Sequence, residues 1–351
     1  MKEITAKDMR DYMTAAAIFS NGQPEDFYKS LTLVEDVAKR GLKPKMVDPK
    51  DVPDDALICQ IMQRAGGGYT YQPGELDESL RAFGKVSGEE LLQKLLGPFK
   101  DAYYERDWSR YGRSIAKVVP ELQRAIDEKI YSYMTCCTSS SQGVVAMYVS
   151  GITGQPFIDG DVCGTAMSPH LDTVAKIEYL PIRAAVSPYG ETIVVKDSPA
   201  TRAGYFLENV HRASGCWFIA MASSLARMKE YRRATVKNRH SRLIKVGATV
   251  REAREKGRDP AAAFMKAAPA HKLFEGVVER FILQKTGGQA HGDFYINGTG
   301  EFKGHKFRVY FNMENRVSWL DGKPYVTIPD INGVVDSKTC ENLPVLDHDG
   351  V

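Results

Sequence analysis

Long apolar runs are missing from this chain. No stretch of eighteen apolar residues occurs in its 351 residues, so no membrane-spanning helix is expected. Residues 1–10 are polar and mixed in charge, without the apolar segment of a secretory signal. The six cysteines (Cys59, Cys136, Cys137, Cys163, Cys216, Cys340) contain no CxxC pair, and the adjacent Cys136-Cys137 makes a poor disulfide framework. Reduced thiols in a cytoplasm are the expectation. Neither sign of charge predominates: a net charge of +3 implies no polyanionic partner by itself. The run Ala65-Gly66-Gly67-Gly68-Tyr69 lacks the Gly-Lys-Ser/Thr ending of a phosphate loop. It reads as a hinge, and no nucleotide cofactor is expected. Internal repeats, low-complexity tracts, heptads and zinc-finger spacings are all absent.

What remains is a globular composition, 43% hydrophobic and long enough for two domains with real cores. Apolar spacing predicts helices over residues 7–19, ended by Asn21-Gly22-Gln23-Pro24, and 27–40, closed by Gly41. Short apolar runs at 44–47 and 56–62 fit buried parallel strands. Residues 99–111, rich in tyrosine, read as a lid or interface loop. Residues 114–128 return to helix, 131–135 to strand and 144–149 to helix. After residue 180 the texture changes: 181–185 and 191–196 read as a hairpin. Strands follow at 281–283, 292–296, 306–312, 317–320 and 325–328, with helices expected between 205 and 225 and between 242 and 256. The expected architecture is therefore an α/β domain with a largely parallel sheet over residues 1–178, followed by a β-rich domain with inserted helices over 179–351.

The chemistry concentrates in Ile158-Asp159-Gly160-Asp161-Val162-Cys163-Gly164. A strand ending in Asp-Gly-Asp delivers carboxylates to the carboxyl edge of an α/β sheet, where ligands bind; a plain turn is the alternative. Ser139, Ser140 and Ser141 lie in a small polar loop feeding a helix N-terminus, which suits an anion, although a simple N-cap accounts for them equally. One helix separates the two loops, so they should lie side by side on one sheet edge. Asp159, Asp161 and Cys163 are the candidate catalytic residues. Asp161, Cys163 and His170 have the residue types that zinc takes, making zinc the candidate cofactor; the other mechanism is attack by Cys163, provided a cation or helix N-terminus lowers its pKa. His291 is expected in a flexible loop that closes over a ligand. Asn312 and Glu314 are expected to alternate along one strand and share a face; with His291 and the three serines they are the candidate substrate-binding residues. His211 is a further possibility near Cys216, while His240, His271, His305 and His348 read as surface residues. The basic segment 227–258 suits a solvated helix better than a nucleic-acid face.

The order of motifs resembles the S-methyl-thiohydantoin desulfurase family. The resemblance rests on Asp159-Gly160-Asp161 followed by Gly164, and on the hairpin from Pro181-Ile182-Arg183-Ala184-Ala185 to Val195. It continues through Leu273-Phe274-Glu275-Gly276-Val277-Val278, Phe311-Asn312-Met313-Glu314 and Thr327-Ile328-Pro329-Asp330-Ile331, then Asp336. It implies a two-domain cytoplasmic protein acting on a five-membered cyclic amide or thioamide. Departures at residues 19–23, at Thr165 and Pro169-His170, and at residues 138–142 imply a divergent member with a changed substrate. The expected function is hydrolysis of a small hydantoin-like or thiohydantoin-like ring, metal-assisted by zinc or thiol-dependent, in a homo-oligomer. The alternatives are a non-catalytic subunit of a multi-protein enzyme and nucleic-acid binding through 227–258.

Overall fold

The computed structural model describes residues 1–22, 27–65, 109–164, 179–187, 190–199, 202–203, 206–207, 218–286, 289–312 and 314–343. The chain opens with β1 (Lys2–Glu3), α1 (Ala6–Phe19), α2 (Phe27–Arg40), β2 (Lys45–Val47) and β3 (Leu57–Ala65). Next come α3 (Ser109–Ile126), β4 (Ser132–Thr135), α4 (Ser140–Thr153) and β5 (Phe157–Asp161). The middle holds β6 (Tyr179–Val186), β7 (Thr192–Pro199), β8 (Phe218–Arg227), α5 (Met228–Arg232), β9 (Val236–Lys237), α6 (Arg239–Glu255) and α7 (Pro260–Ala267). Five strands finish it: β10 (Gly276–Thr286), β11 (Gln289–Gly298), β12 (Lys306–Asn312), β13 (Glu314–Leu320) and β14 (Lys323–Thr327).

Successive residues of the early strands go to opposite sides of one sheet. Met46, Cys59, Tyr133 and Phe157 enter the core under the helices, whereas their neighbours Val47, Ile58, Met134 and Ile158 enter a second cluster on the other face. Both faces are thus buried, as apolar runs in a parallel sheet require. Strands β2, β5, β4 and β3 run parallel in that spatial order. Strand β1 adds antiparallel to β2, and β8, β6 and β7 extend the sheet antiparallel beyond β3. The front of the molecule is therefore mixed α/β, and the hairpin expected after residue 180 is β6–β7. These strands lie beyond residue 178 yet continue the first sheet.

The helices covering it follow local rules. Helix α1 starts with a capping box, the Thr5 hydroxyl accepting from the Asp8 amide at 3.1 Å while Asp8 accepts from the Thr5 amide at 2.9 Å. Ser139 caps α4 by accepting from the Gln142 amide at 3.1 Å, and Gly154 ends it in the left-handed conformation.

One helix expectation fails. Within residues 205–225, the stretch from residue 218 belongs to strand β8, hydrogen-bonded between β3 and β6. Its Ala, Ser, Met and Leu are good or neutral helix formers, but an apolar run carries no period that separates a buried strand from a buried helix. The open edge of β3 decides it.

The second sheet is an antiparallel meander, β10 to β14 in order. Phe307, Val309 and Phe311 alternate onto its packed face with Phe294 and Ile296. A three-asparagine knot ties this sheet to α1. Asn21 donates to the Asn315 carbonyl at 2.8 Å, its Oδ1 accepts from the Asn332 amide at 2.7 Å, and the Asn315 side chain donates to the Asn332 carbonyl at 2.6 Å.

Candidate functional site at the carboxyl edge of β4 and β5

Parallel pairing brings Thr135, the last residue of β4, level with Asp161, the last of β5. The loop after β4 runs through Cys136, Cys137 and Thr138 to the start of α4, so Thr138 meets Asp161. The Thr138 hydroxyl donates to Asp161 Oδ2 at 2.6 Å, and the Gly164 amide donates to Oδ1 at 2.7 Å. Gly164 reaches this position with φ +72°, in the left-handed region that glycine enters without strain. Asp161 is fully buried. Burial raises its pKa; the hydrogen bonds from Thr138 and Gly164 and the charge of Arg239 oppose that shift without cancelling it.

Strand β9 pairs with Gly160 and Asp161, and Asn238, itself left-handed at φ +58°, turns the chain directly into α6. This turn places Arg239 and His240 beside the loop. Arg239 Nε donates to the Thr138 hydroxyl oxygen at 2.7 Å, and the guanidinium lies 4.0 Å from Asp161 Oδ2. Its charged plane is 4.7 Å from the centre of the Phe19 ring. Thr138 is therefore a bridge, donating to the acid and accepting from the base. His240 is fully buried, with its Nε2 3.3 Å from the Thr135 hydroxyl and its ring stacked on Phe157 at 5.5 Å. Desolvation pulls its pKa down to about 4, against the opposing pull of Asp159, so it is neutral at pH 7. The expectation that His240 is a surface residue is wrong: it lies on the inward face of α6 beside the helix start. Tyr12 closes the cluster from α1, donating to the Ser139 carbonyl at 2.9 Å. A Cβ at Gly143 would lie 2.2 Å from the Tyr12 ring, which only a glycine allows.

The structure brings several expected residues together here. Asp159 and Asp161 share β5, and Ser139, Ser140 and Ser141 are buried at the start of α4. Asp159 has a structural partner: its Oδ1 accepts from the Ser241 amide at 2.9 Å, satisfying the first turn of α6. Ser139 and Ser141 hydroxyls lie 3.2 Å apart. Cys163 packs with Cys136, Cys137, Ala185, Leu207, Ile193 and Val195, and burial pushes its thiol up to about 12, aided by Cys137 and Asp161. Among the described residues, these neighbours raise the thiol pKa, whereas an activated thiolate needs it lowered. His170, the glycines at 66–68, His211, Cys216 and His348 lie outside the described residues, as does residues 99–108 of the tyrosine-rich segment. Among the described residues, no group of three or more His, Cys, Asp or Glu is placed to hold a metal ion.

His291, Asn312 and Glu314 form a second group in the other sheet. His291 is in strand β11, not in a flexible loop, because the hairpin turns earlier and Thr286 already pairs with Gln289. Asn312 and Glu314 are not successive positions of one strand either. Asn312 ends β12, Glu314 begins β13, and the two are register partners, with His291 opposite Asn312 on the far side. The three lie in one row across three strands. Glu314 is buried, paired with Arg316, and burial pushes its carboxyl up to about 7 despite that pairing. The row meets the first site through α1: Asn315, next to Glu314, bonds Asn21, two residues beyond the Phe19 that covers Arg239.

Thr138 and Arg239 are the members that pattern reading misses. The available signal is a cation at the first position of a helix, where the helix dipole disfavours it, directly after an asparagine suited to a turn. Much of the basic segment holding Arg239 is committed elsewhere. Arg227 pairs with Glu128, Arg232 with Asp54, Arg251 with Asp11 and Glu255, and Lys256 with Glu252.

Residues 182–348 match the family model described as S-Me-THD-like, C-terminal domain. Over these residues the chain is similar to the S-Me-THD-like family. A crystal structure of a protein from Chromobacterium violaceum, solved by a structural genomics consortium, is similar over 99% of this chain and 87% of that one. The TM-score is 0.65 at 16% sequence identity, a likeness of fold alone. No curated protein matches the sequence. No helix among the described residues is long and apolar enough to cross a membrane.

Proposed function

We propose that this protein hydrolyses a small cyclic amide or thioamide ring of the hydantoin or thiohydantoin type, at the carboxyl edge of β4 and β5. The observation that carries the reading is the buried Asp161–Thr138–Arg239 cluster in a chain whose residues 182–348 are similar to the S-Me-THD-like family. A carboxyl whose pKa is raised by burial, yet held in place by a hydroxyl and an amide, is suited to moving a proton. In this reading Asp161 takes a proton from a water as its oxygen bonds to the ring carbon. It returns that proton to the departing nitrogen or sulfur as the C–N or C–S bond breaks. A neutral His240 behind Thr135 adds no competing charge.

The test is turnover by purified protein of a panel of hydantoins, thiohydantoins and their S-methyl derivatives, followed by mass spectrometry of the products. Wild type is expected to open or desulfurise at least one ring, and Asp161→Asn to lose about 10²-fold or more in kcat. No turnover by wild type across the panel, with a stable protein complex recovered from cells, would instead support a non-catalytic subunit.

A further inference from the structure

The electrostatics around Arg239 do not close. The residue is about nine-tenths buried, and its Nη2 has no hydrogen-bond partner among the described residues. Nε is held by Thr138, and the guanidinium lies against the Phe19 ring. A buried guanidinium nitrogen left unpaired is costly, because it has lost its water without a replacement acceptor. Two further features add positive potential. Arg239 is the first residue of α6, and it reaches to Thr138, the residue immediately before the N-cap of α4. Both helix starts carry partial positive charge. Asp159 answers the start of α6 through Ser241. Among the described residues, the carboxylate paired with Arg239 is Asp161, at 4.0 Å, and its oxygens already accept from Thr138 and Gly164. Stability alone does not select a buried cation at two helix N-termini; local rules broken in this way mark a functional position.

We infer that Arg239 Nη2 and the N-terminal end of α4 form a binding site for a negatively charged oxygen of the substrate. The inference deepens the proposed hydrolysis and rests on it for the identity of the ligand. The anionic oxygen has two possible sources in such a substrate: the ring carbonyl oxygen as water adds to its carbon, or a group already charged in the ground state. In the first case Arg239 contacts the reacting atoms and is a catalytic residue, with Thr138 as the positioning residue that fixes Nε. A preorganised donor of this kind contributes about 10²–10³ in kcat.

The experiment has a binding arm and a kinetic arm, both on the full chain. Titration with sodium acetate against sodium chloride at matched ionic strength, followed by ligand-observed NMR, is expected to give saturable acetate binding. Arg239→Gln should weaken it by at least about tenfold, the loss expected when a charge-assisted hydrogen bond of about 1.5 kcal/mol or more is removed. Arg239→Lys keeps the charge without the fork, and guards against misfolding of the glutamine variant; it should retain part of the binding. In turnover, a fall in kcat with KM within about threefold of wild type assigns the oxygen to the transition state. A rise in KM with kcat maintained assigns it to a ground-state anion. No saturable acetate binding by wild type, or equal binding by folded Arg239 variants, overturns the site even if hydrolysis is observed. Arg239-dependent acetate binding without turnover of any ring leaves the site standing and removes the hydrolase reading.

Discussion

Replacing Thr138 by valine deletes one oxygen and almost no volume, and that oxygen is the bridge on which the site is built. It donates to Asp161 Oδ2 at 2.6 Å and accepts from Arg239 Nε at 2.7 Å, and both partners are buried. Hydrogen bonds to charged groups are worth about 1.5–3 kcal/mol each, and the partners left behind have no water to turn to. The extra methyl group of valine recovers part of the loss, about 1 kcal/mol. The expected net destabilisation is therefore about 3 kcal/mol. With a urea m-value of about 3 kcal/mol/M, the midpoint should fall by about 1 M at pH 7 without a change in slope. The loss should also depend on pH. Thr138 stabilises the ionised form of Asp161, so its removal raises an already raised pKa further. A raised carboxyl pKa means stability that is complete below the unfolded value of 3.8 and declines as pH rises through the folded value. The gap between wild type and Thr138→Val should therefore widen with increasing pH. Thr138→Ser keeps the hydroxyl and should lose far less. A valine variant within about 0.5 kcal/mol of wild type, or a serine variant as unstable as the valine one, would refute the bridging role.

Cys163, with its thiol pushed up to about 12, should react slowly with iodoacetamide at pH 7–8 and accelerate as pH rises, read by peptide mass spectrometry; Cys163→Ala should retain most activity if the thiol only packs. Glu314, raised to about 7, contributes stability that is complete below its ordinary value of 4.5 and lost as pH rises through about 7. Glu314→Gln should consequently gain on wild type by on the order of 1–3 kcal/mol at pH 8, and the advantage should shrink below pH 6 in parallel urea titrations. His240, depressed to about 4, contributes stability that is complete above 6.5 and lost as pH falls through about 4. Its imidazole resonances should stay in the neutral form down to pH 5 in a heteronuclear NMR titration; a midpoint near 6.5 would contradict its burial.

Sequence by itself determines the elements whose energetics are local. Thr5 and Asp8 cap α1, Ser139 caps α4, and Gly41 and Gly154 end their helices in the left-handed region, because each residue acts on backbone groups within a few positions. The Asp321–Gly322 turn between β13 and β14 has both residues at positive φ, the geometry a two-residue hairpin needs. The alternation at 46–47, 58–59, 133–134 and 157–158 fixes a sheet buried on both sides, and Asp-Gly-Asp at the end of β5 marks its carboxyl edge. Tertiary structure decides whatever depends on a partner distant in the chain. Phe218–Arg227 becomes a strand because β3 offers it an open edge. His291 comes opposite Asn312, and Asn312 opposite Glu314, only because the hairpins of the second sheet fall where they do. Arg239 and His240, in a segment that reads as a charged surface helix, reach the site because β9 pairs with the last residues of β5 and turns at Asn238. Thr138 and Arg239 are 101 residues apart. A periodic pattern tells which face of a helix is buried; it does not tell against what, and the chemistry of this site resides in that second question.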